Sequence, residues 1–276
     1  KALILTLFLL MSLTGAAPAW AKRVALVIGN ADYSDGRLKN PVNDARAMDA
    51  KLAGLGFKVT KVENLTRKQI GRTVNGFASQ IKPGDDVVVF YAGHGVQVKG
   101  VNYFPVVDGE IGSEEDVPLN SLNLNTLMER LDEAKAGVKL LLLDACRNNP
   151  YARSFRSGER GLARVTSASN GTLIHYATRP GSVAADSNGN SNNGLYTSQL
   201  LKQIDTPDLA VAQLFKRVGS AVKAASNGQQ EPWMEGGIEG DFFFASSPTP
   251  IPAVAQIASV QQRIGALPPN MAMSLS

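Results

Sequence analysis

Val87-Val88-Val89-Phe90-Tyr91-Ala92-Gly93-His94-Gly95 decides how this chain is read. Its first half follows a Pro83-Gly84 turn and carries no polar residue in alternation, which marks a strand covered on both faces. A second run over residues 138–143 follows Gly137 in the same way and leads into Asp144-Ala145-Cys146-Arg147. In an open α/β sheet, ligands and chemistry collect at the carboxyl ends of such strands. A histidine at one strand end and a cysteine at the other is the pairing expected of a thiol nucleophile with its acid/base partner.

The chain has 276 residues, a single cysteine, two histidines and a formal net charge of +4. That length accommodates one domain plus tails. The positive charge forms no long basic stripe, so nucleic-acid binding is not expected. Lys1, the apolar run over residues 2–11 and Ala19-Trp20-Ala21 have the pattern of a signal peptide over residues 1–21, cleaved before Lys22. The apolar stretch is short for a bilayer span, so no stable membrane anchor is expected after cleavage, and the mature chain would be periplasmic or extracellular. In an oxidising compartment a lone cysteine is either a buried small hydrophobe or a retained reactive thiol. Its place just past a strand end, followed by Arg147-Asn148-Asn149-Pro150, favours the reactive thiol.

Going along the chain, residues 23–29 read as a first buried strand. A loop through Asn30-Ala31-Asp32-Tyr33 and a turn at Ser34-Asp35-Gly36 follow it. Gly29 lacks the further glycines or Gly-Lys pair of a phosphate loop. Spacing then predicts a helix over 41–53, a strand over 57–62, a helix over 66–81 capped by Thr66, and a strand over 86–91. Val96, Val98, Val101 and Tyr103 predict a hairpin turning at Lys99-Gly100. Beyond it come an acidic loop over 110–116, a helix over 121–134, the strand into Asp144, and a loop over 151–166. The last third predicts a strand over 172–178, helices over 195–203 and 209–225, and an edge strand over 241–244. The domain is expected to span 22–245, with a Pro-rich tail or linker over 246–276. This alternation predicts an α/β three-layer sandwich around a mostly parallel sheet of about six strands.

Several ordered pieces give the chain its resemblance to a known family. They are Ala25-Leu26-Val27-Ile28-Gly29-Asn30 with Asn43-Asp44-Ala45, Tyr91-Ala92-Gly93-His94-Gly95, Asp144-Ala145-Cys146-Arg147, Tyr176-Ala177-Thr178-Arg179-Pro180-Gly181 and Tyr196-Thr197. In these the chain resembles the caspase and metacaspase cysteine peptidases, particularly the bacterial caspase-like members. The resemblance implies the caspase-hemoglobinase fold and a cysteine endopeptidase acting on protein or peptide substrates. Cys146 would be the nucleophile and His94 the proton carrier, with the backbone N–H groups of Gly95 and Cys146 forming the oxyanion hole.

Caspases that cut after aspartate hold it with arginines and a glutamine, whereas this chain has Asp144 two residues before the cysteine. Metacaspases, which cut after Arg or Lys, carry acids at the positions of Asp144 and Asp44. Together with Asp186, these residues are expected to line a pocket for a cationic side chain. Asp44 equally suits a first-turn helix acid, and Asp186 a turn residue. Glu114, Glu115 and Asp116 could attract calcium, but an acidic loop is usually solvated, so neither a metal nor a cofactor is expected. Arg153, Arg156, Arg160 and Arg164 are candidate self-cleavage sites, and a basic solvated loop explains them equally well. His175, in mid-strand, is expected to be a packed core residue. A monomer is expected. The alternative readings are a catalytically inactive caspase-like interaction or regulatory domain and, weakened by the missing phosphate loop, a flavodoxin-like binding module.

Overall fold

The computed structural model describes residues 21–146, 151, 155, 161–165, 168–179 and 192–247. The middle of the central sheet is built on apolar runs that are buried on both faces. β1 (Arg23–Gly29) is followed by α1 (Pro41–Gly54), β2 (Lys58–Glu63), α2 (Ile70–Ala78) and β3 (Asp86–His94). β4 (Val96–Val98), β5 (Val101–Pro105) and β6 (Ser121–Asn123) come next, then α3 (Leu124–Glu133) and β7 (Lys139–Cys146). β8 (Thr172–Tyr176), α4 (Leu195–Leu201), α5 (Val211–Ala225) and β9 (Trp233–Gly237) complete the order.

Six strands form one sheet in the order β2-β1-β3-β7-β8-β9, and β4-β5-β6 form a separate antiparallel sheet. All pairings in the large sheet are parallel except β8 with β9. Alternate residues of each central strand feed two cores. Ala25, Val27, Val88, Phe90, Leu140 and Leu142 pack with apolar residues of α1, α4 and α5. Val24, Leu26, Val89, Leu141 and Leu143 pack with those of α2 and α3. This is the three-layer α/β/α fold with six mostly parallel strands that the sequence predicts. Among the described residues no helix is long and apolar enough to cross a membrane.

Several element boundaries differ from expectation, each for a local reason. The helix expected over 66–81 begins as one turn of 3-10 helix (Arg67–Gln69), where Thr66 and Gln69 form a capping box, and α2 ends at Ala78. The acidic loop over 110–116 runs into a second 3-10 helix (Glu114–Leu119), capped by Ser113 and Asp116. The helix expected from Ser121 starts only at Leu124, because the Asn123 side chain accepts the Asn125 and Thr126 N–H groups at 2.8 and 3.3 Å. Ser121–Asn123 is therefore free to pair with β5.

The edge strand is β9, and the expectation of a strand over 241–244 is corrected. Phe242 and Phe244 turn into the core. The Arg23 guanidinium takes the carbonyls of Phe243 and Phe244 at 2.7 and 2.8 Å and lies 4.3 Å over the Phe57 ring, so this segment makes only isolated bridges. Residues 248–276 of the tail expected over 246–276, and residues 1–20 of the signal peptide expected over 1–21, lie outside the described residues.

Helix α1 packs closely against the end of β1 at Gly29. A Cβ there would sit 2.3 Å from the Pro41 carbonyl oxygen and 2.6 Å from the Ala45 Cβ. The contact is mostly with backbone and cannot be relieved by a rotamer change. Gly29→Ala is therefore expected to lower unfolding free energy by about 1–3 kcal/mol, as overpacking in cores does. Urea unfolding monitored by tryptophan fluorescence checks this, and an unchanged midpoint would contradict the close approach.

Candidate active site

β3 and β7 are adjacent and parallel, and their register pairs Ala92 with Asp144, Gly93 with Ala145 and His94 with Cys146. Two residues 52 positions apart, read off as His94 and Cys146, are thus brought to the same level at the carboxyl edge of the sheet.

The loop after β1 fixes the histidine. Asn30 is fully buried and pins the start of that loop: its N–H donates to the Ala92 carbonyl at 2.9 Å and its Nδ2 to the Pro105 carbonyl at 3.1 Å. Its Oδ1 accepts the Leu65 N–H at 2.8 Å. From this anchor the loop passes over His94, which is 3% exposed. The Tyr33 ring lies 4.5 Å from the imidazole between centroids, and His94 Nε2 is 2.6 Å from the Gly36 carbonyl oxygen. A carbonyl can only accept, so Nε2 carries the proton and Nδ1 is the nitrogen that gains or loses one.

Two hydroxyls bracket the same residue's main chain. The His94 N–H donates to Tyr33 Oη at 3.0 Å, Tyr91 Oη donates to the His94 carbonyl at 2.7 Å, and the two Oη atoms are 3.2 Å apart. A Cβ at position 93 would fall 2.5 Å from Tyr91 Oη and 2.7 Å from Tyr33 Oη, so glycine there makes room for the pair. Sequence reasoning singled out none of Tyr33, Gly36 or Tyr91 for this work. Tyr91 stood inside the quoted motif and Tyr33 in the loop after a strand end, but their meeting is set by tertiary packing.

Gly95 follows β3 directly. A Cβ there would lie 2.9 Å from both Ala145 Cβ and Leu162 Cδ2, so the backbone runs close against the end of β7.

Asp44 and Asp144 approach one another through a common neighbour. Asp44, in the first turn of α1 and 2% exposed, accepts Asn193 Nδ2 and the Gly194 N–H through Oδ1 at 2.9 and 3.0 Å. Asp144, 6% exposed, accepts the Thr197 hydroxyl through Oδ2 at 2.6 Å. Gly194 and Thr197 belong to the opening turn of α4, so both carboxylates converge on donors of that turn. Burial, with the Asp144 charge adding to it, pushes the Tyr196 hydroxyl well above the usual tyrosine range. Asp44 is at once the first-turn helix acid and a partner of α4.

Other expectations meet the structure unevenly. Asp186 lies outside the described residues, as do Arg153, Arg156 and Arg160. Arg164 is described; it pairs with Glu235 at 3.6 Å and lies 4.8 Å over the Trp233 ring. In the acidic stretch, Asp116 spends one carboxylate oxygen on the Gly112 and Ser113 N–H groups and the Ser113 hydroxyl. Among the described residues there is no group of three or more His, Cys, Asp or Glu placed to hold a metal ion. His175 is a packed core residue: its Nδ1 meets Tyr196 Oη at 2.8 Å, and its ring stacks on Phe215 at 4.2 Å.

A mostly parallel six-stranded sheet whose central neighbours end on histidine and cysteine places the protein in the caspase-type α/β class. Residues 22–243 match the caspase domain of peptidase family C14, and the chain belongs to that family. It is 30% identical over 136 residues to mucosa-associated lymphoid tissue lymphoma translocation protein 1 of Homo sapiens, a match spanning 49% of this chain and 16% of that protein. The Mus musculus homolog matches to the same extent. Among solved structures, protein GSU0716 from Geobacter sulfurreducens superposes with a TM-score of 0.59 at 17% identity, covering 83% of this chain and 98% of that one. That likeness is one of fold.

Burial lowers the pKa of His175 to about 3, so the folded state holds the ring neutral. The unfolded chain titrates it near 6.5. Between these values the unfolded state binds the extra proton, so stability falls as pH drops below about 6.5, by up to about 1.4 kcal/mol per pH unit. Urea midpoints at pH 7 and pH 5 are expected to differ less for His175→Gln than for the wild type. Equal differences would contradict a neutral buried ring.

Proposed function

We propose that this protein is a cysteine endopeptidase that hydrolyses peptide bonds after Arg or Lys. The observation that supports the reading is one of register: His94 and Cys146 are direct partners on adjacent strands, while His94 Nε2 is committed to the Gly36 carbonyl. A cysteine with an ordinary pKa of about 8.5 is only partly ionised at neutral pH and needs such a partner.

The Cys146 sulfur attacks the scissile carbonyl carbon as its proton passes to His94. The Gly95 and Cys146 N–H groups hold the oxyanion. Collapse breaks the C–N bond, the departing amine takes the proton from His94, and a thioester remains. Water, deprotonated by His94, then cleaves the thioester and restores the thiol. Asp44 and Asp144, with Asp186, supply negative charge for the guanidinium or ammonium of the substrate residue before the cut. The same preference would make Arg153, Arg156, Arg160 or Arg164 sites of self-processing. Separately, the charge, apolar run and small-residue end of residues 1–21 support their reading as a signal peptide removed on export.

Fluorogenic peptides ending in Arg, Lys or Asp test the assignment. Arg or Lys peptides are expected to turn over, and His94→Gln to lower kcat by about 10²–10⁴-fold. Asp144→Asn should lower kcat/KM for Arg peptides by about tenfold to a hundredfold, the value of a charge-assisted hydrogen bond. Full activity in Cys146→Ala would remove the mechanism, and preference for Asp peptides would remove the pocket. No turnover by the wild type would return the chain to a non-catalytic interaction domain. For self-processing, mass spectrometry of wild type and Cys146→Ala is expected to show fragments ending at these arginines only in the former.

A further inference from the structure

Tyr33 and Tyr91 are both buried, and a phenylalanine would fill either space without a hydroxyl to satisfy. The bonds these hydroxyls make have forced directions. The His94 N–H can only donate, so Tyr33 Oη accepts it. The His94 carbonyl can only accept, so the Tyr91 O–H is spent there. The Tyr33 O–H is therefore the proton that runs to Tyr91 Oη. The result is a ring of three directed hydrogen bonds built around the backbone of a single residue.

The loop that carries Tyr33 also carries Gly36, whose carbonyl takes His94 Nε2. His94 is thus gripped at its backbone nitrogen, its backbone oxygen, its ring face and one ring nitrogen. We infer that Tyr33 and Tyr91 are positioning residues of the reaction: their hydroxyl pair holds the loop of residues 30–40 against the end of β3, so that Gly36 keeps His94 in the Nε2–H form. The inference rests on the peptidase reading for its kinetic consequence but not for its geometry.

The titratable groups in contact with His94 are Tyr33 from the loop and Tyr91 from β3, and Cys146 is its register partner on β7. Tyr33 is in turn influenced by Tyr151, which feels the charge of Asp35. Burial raises the Tyr33 hydroxyl far above its ordinary range, so it remains a donor throughout the neutral region.

The experiment compares wild type with Tyr33→Phe, Tyr91→Phe and, as a control away from this ring, Tyr103→Phe in β5. In the first two variants kcat for an Arg peptide should fall by about tenfold with KM within about twofold, and the acid limb of the pH profile should shift. Ring-nitrogen NMR supplies a readout that does not depend on turnover, since the chain has two histidines and His175 is the untitrating reference. Neutral His94 should be wholly Nε2–H in the wild type and a mixture of tautomers in both hydroxyl variants. Pure Nε2–H in both variants would overturn the inference, and so would an equal fall in kcat for Tyr103→Phe. If the wild type turned over no peptide, the peptidase reading would fall and the spectra alone would decide. If Tyr33→Phe did not fold, Tyr91→Phe, which leaves the loop's own side chains intact, would give the same readouts.

Discussion

The parallel pairing of β3 with β7 is the constraint from which the site follows. Strands buried on both faces cannot slip by one residue without moving every apolar side chain into the wrong core. Val88, Phe90, Leu140 and Leu142 on one side and Val89, Leu141 and Leu143 on the other therefore hold the register. Since the ladder runs unbroken to His94 and Cys146, packing in the middle of the sheet sets the level at which the two meet. The placement of polar residues at the edge is thus specified by hydrocarbon in the middle of the sheet.

Rigid strands place backbones, and the polar groups around them select states. Asn30 pins one loop to β3, to β5 and to the segment after β2, and that loop delivers the carbonyl that chooses the tautomer of His94. The opening turn of α4 does comparable work for Asp44 and Asp144, offering N–H and hydroxyl donors to two buried carboxylates. On the peptidase reading, one loop prepares the proton carrier and one helix turn prepares the charge that recognises the substrate.

What the sequence made legible follows from how local each signal is. Long apolar runs announced β1, β3 and β7, and Lys99-Gly100, both with positive φ, announced the hairpin turn. β6 was hidden because its three residues borrow the helical spacing of α3, and its pairing depends on a partner that arrives from β5. β9 was hidden by Gly236 and Gly237, which carry no strand propensity. Gly236 sits where a Cβ would strike the Thr172 carbonyl at 2.2 Å, a requirement visible only once β8 is beside it. In the site, His94, Cys146, Gly95, Asp44 and Asp144 were readable as motif residues. The Tyr33 and Tyr91 hydroxyls were not, because a buried tyrosine and a buried phenylalanine leave the same trace in a hydropathy pattern.

Arg23 joins two distant parts of the chain at the edge of the sheet where β1 begins, holding the carbonyls of Phe243 and Phe244. His94 and Cys146 end their strands at the other edge. On the peptidase reading, any cargo, tether or neighbouring module linked ahead of Lys22 would therefore attach on the side of the sheet away from His94 and Cys146 and leave the approach of a bulky polypeptide unobstructed.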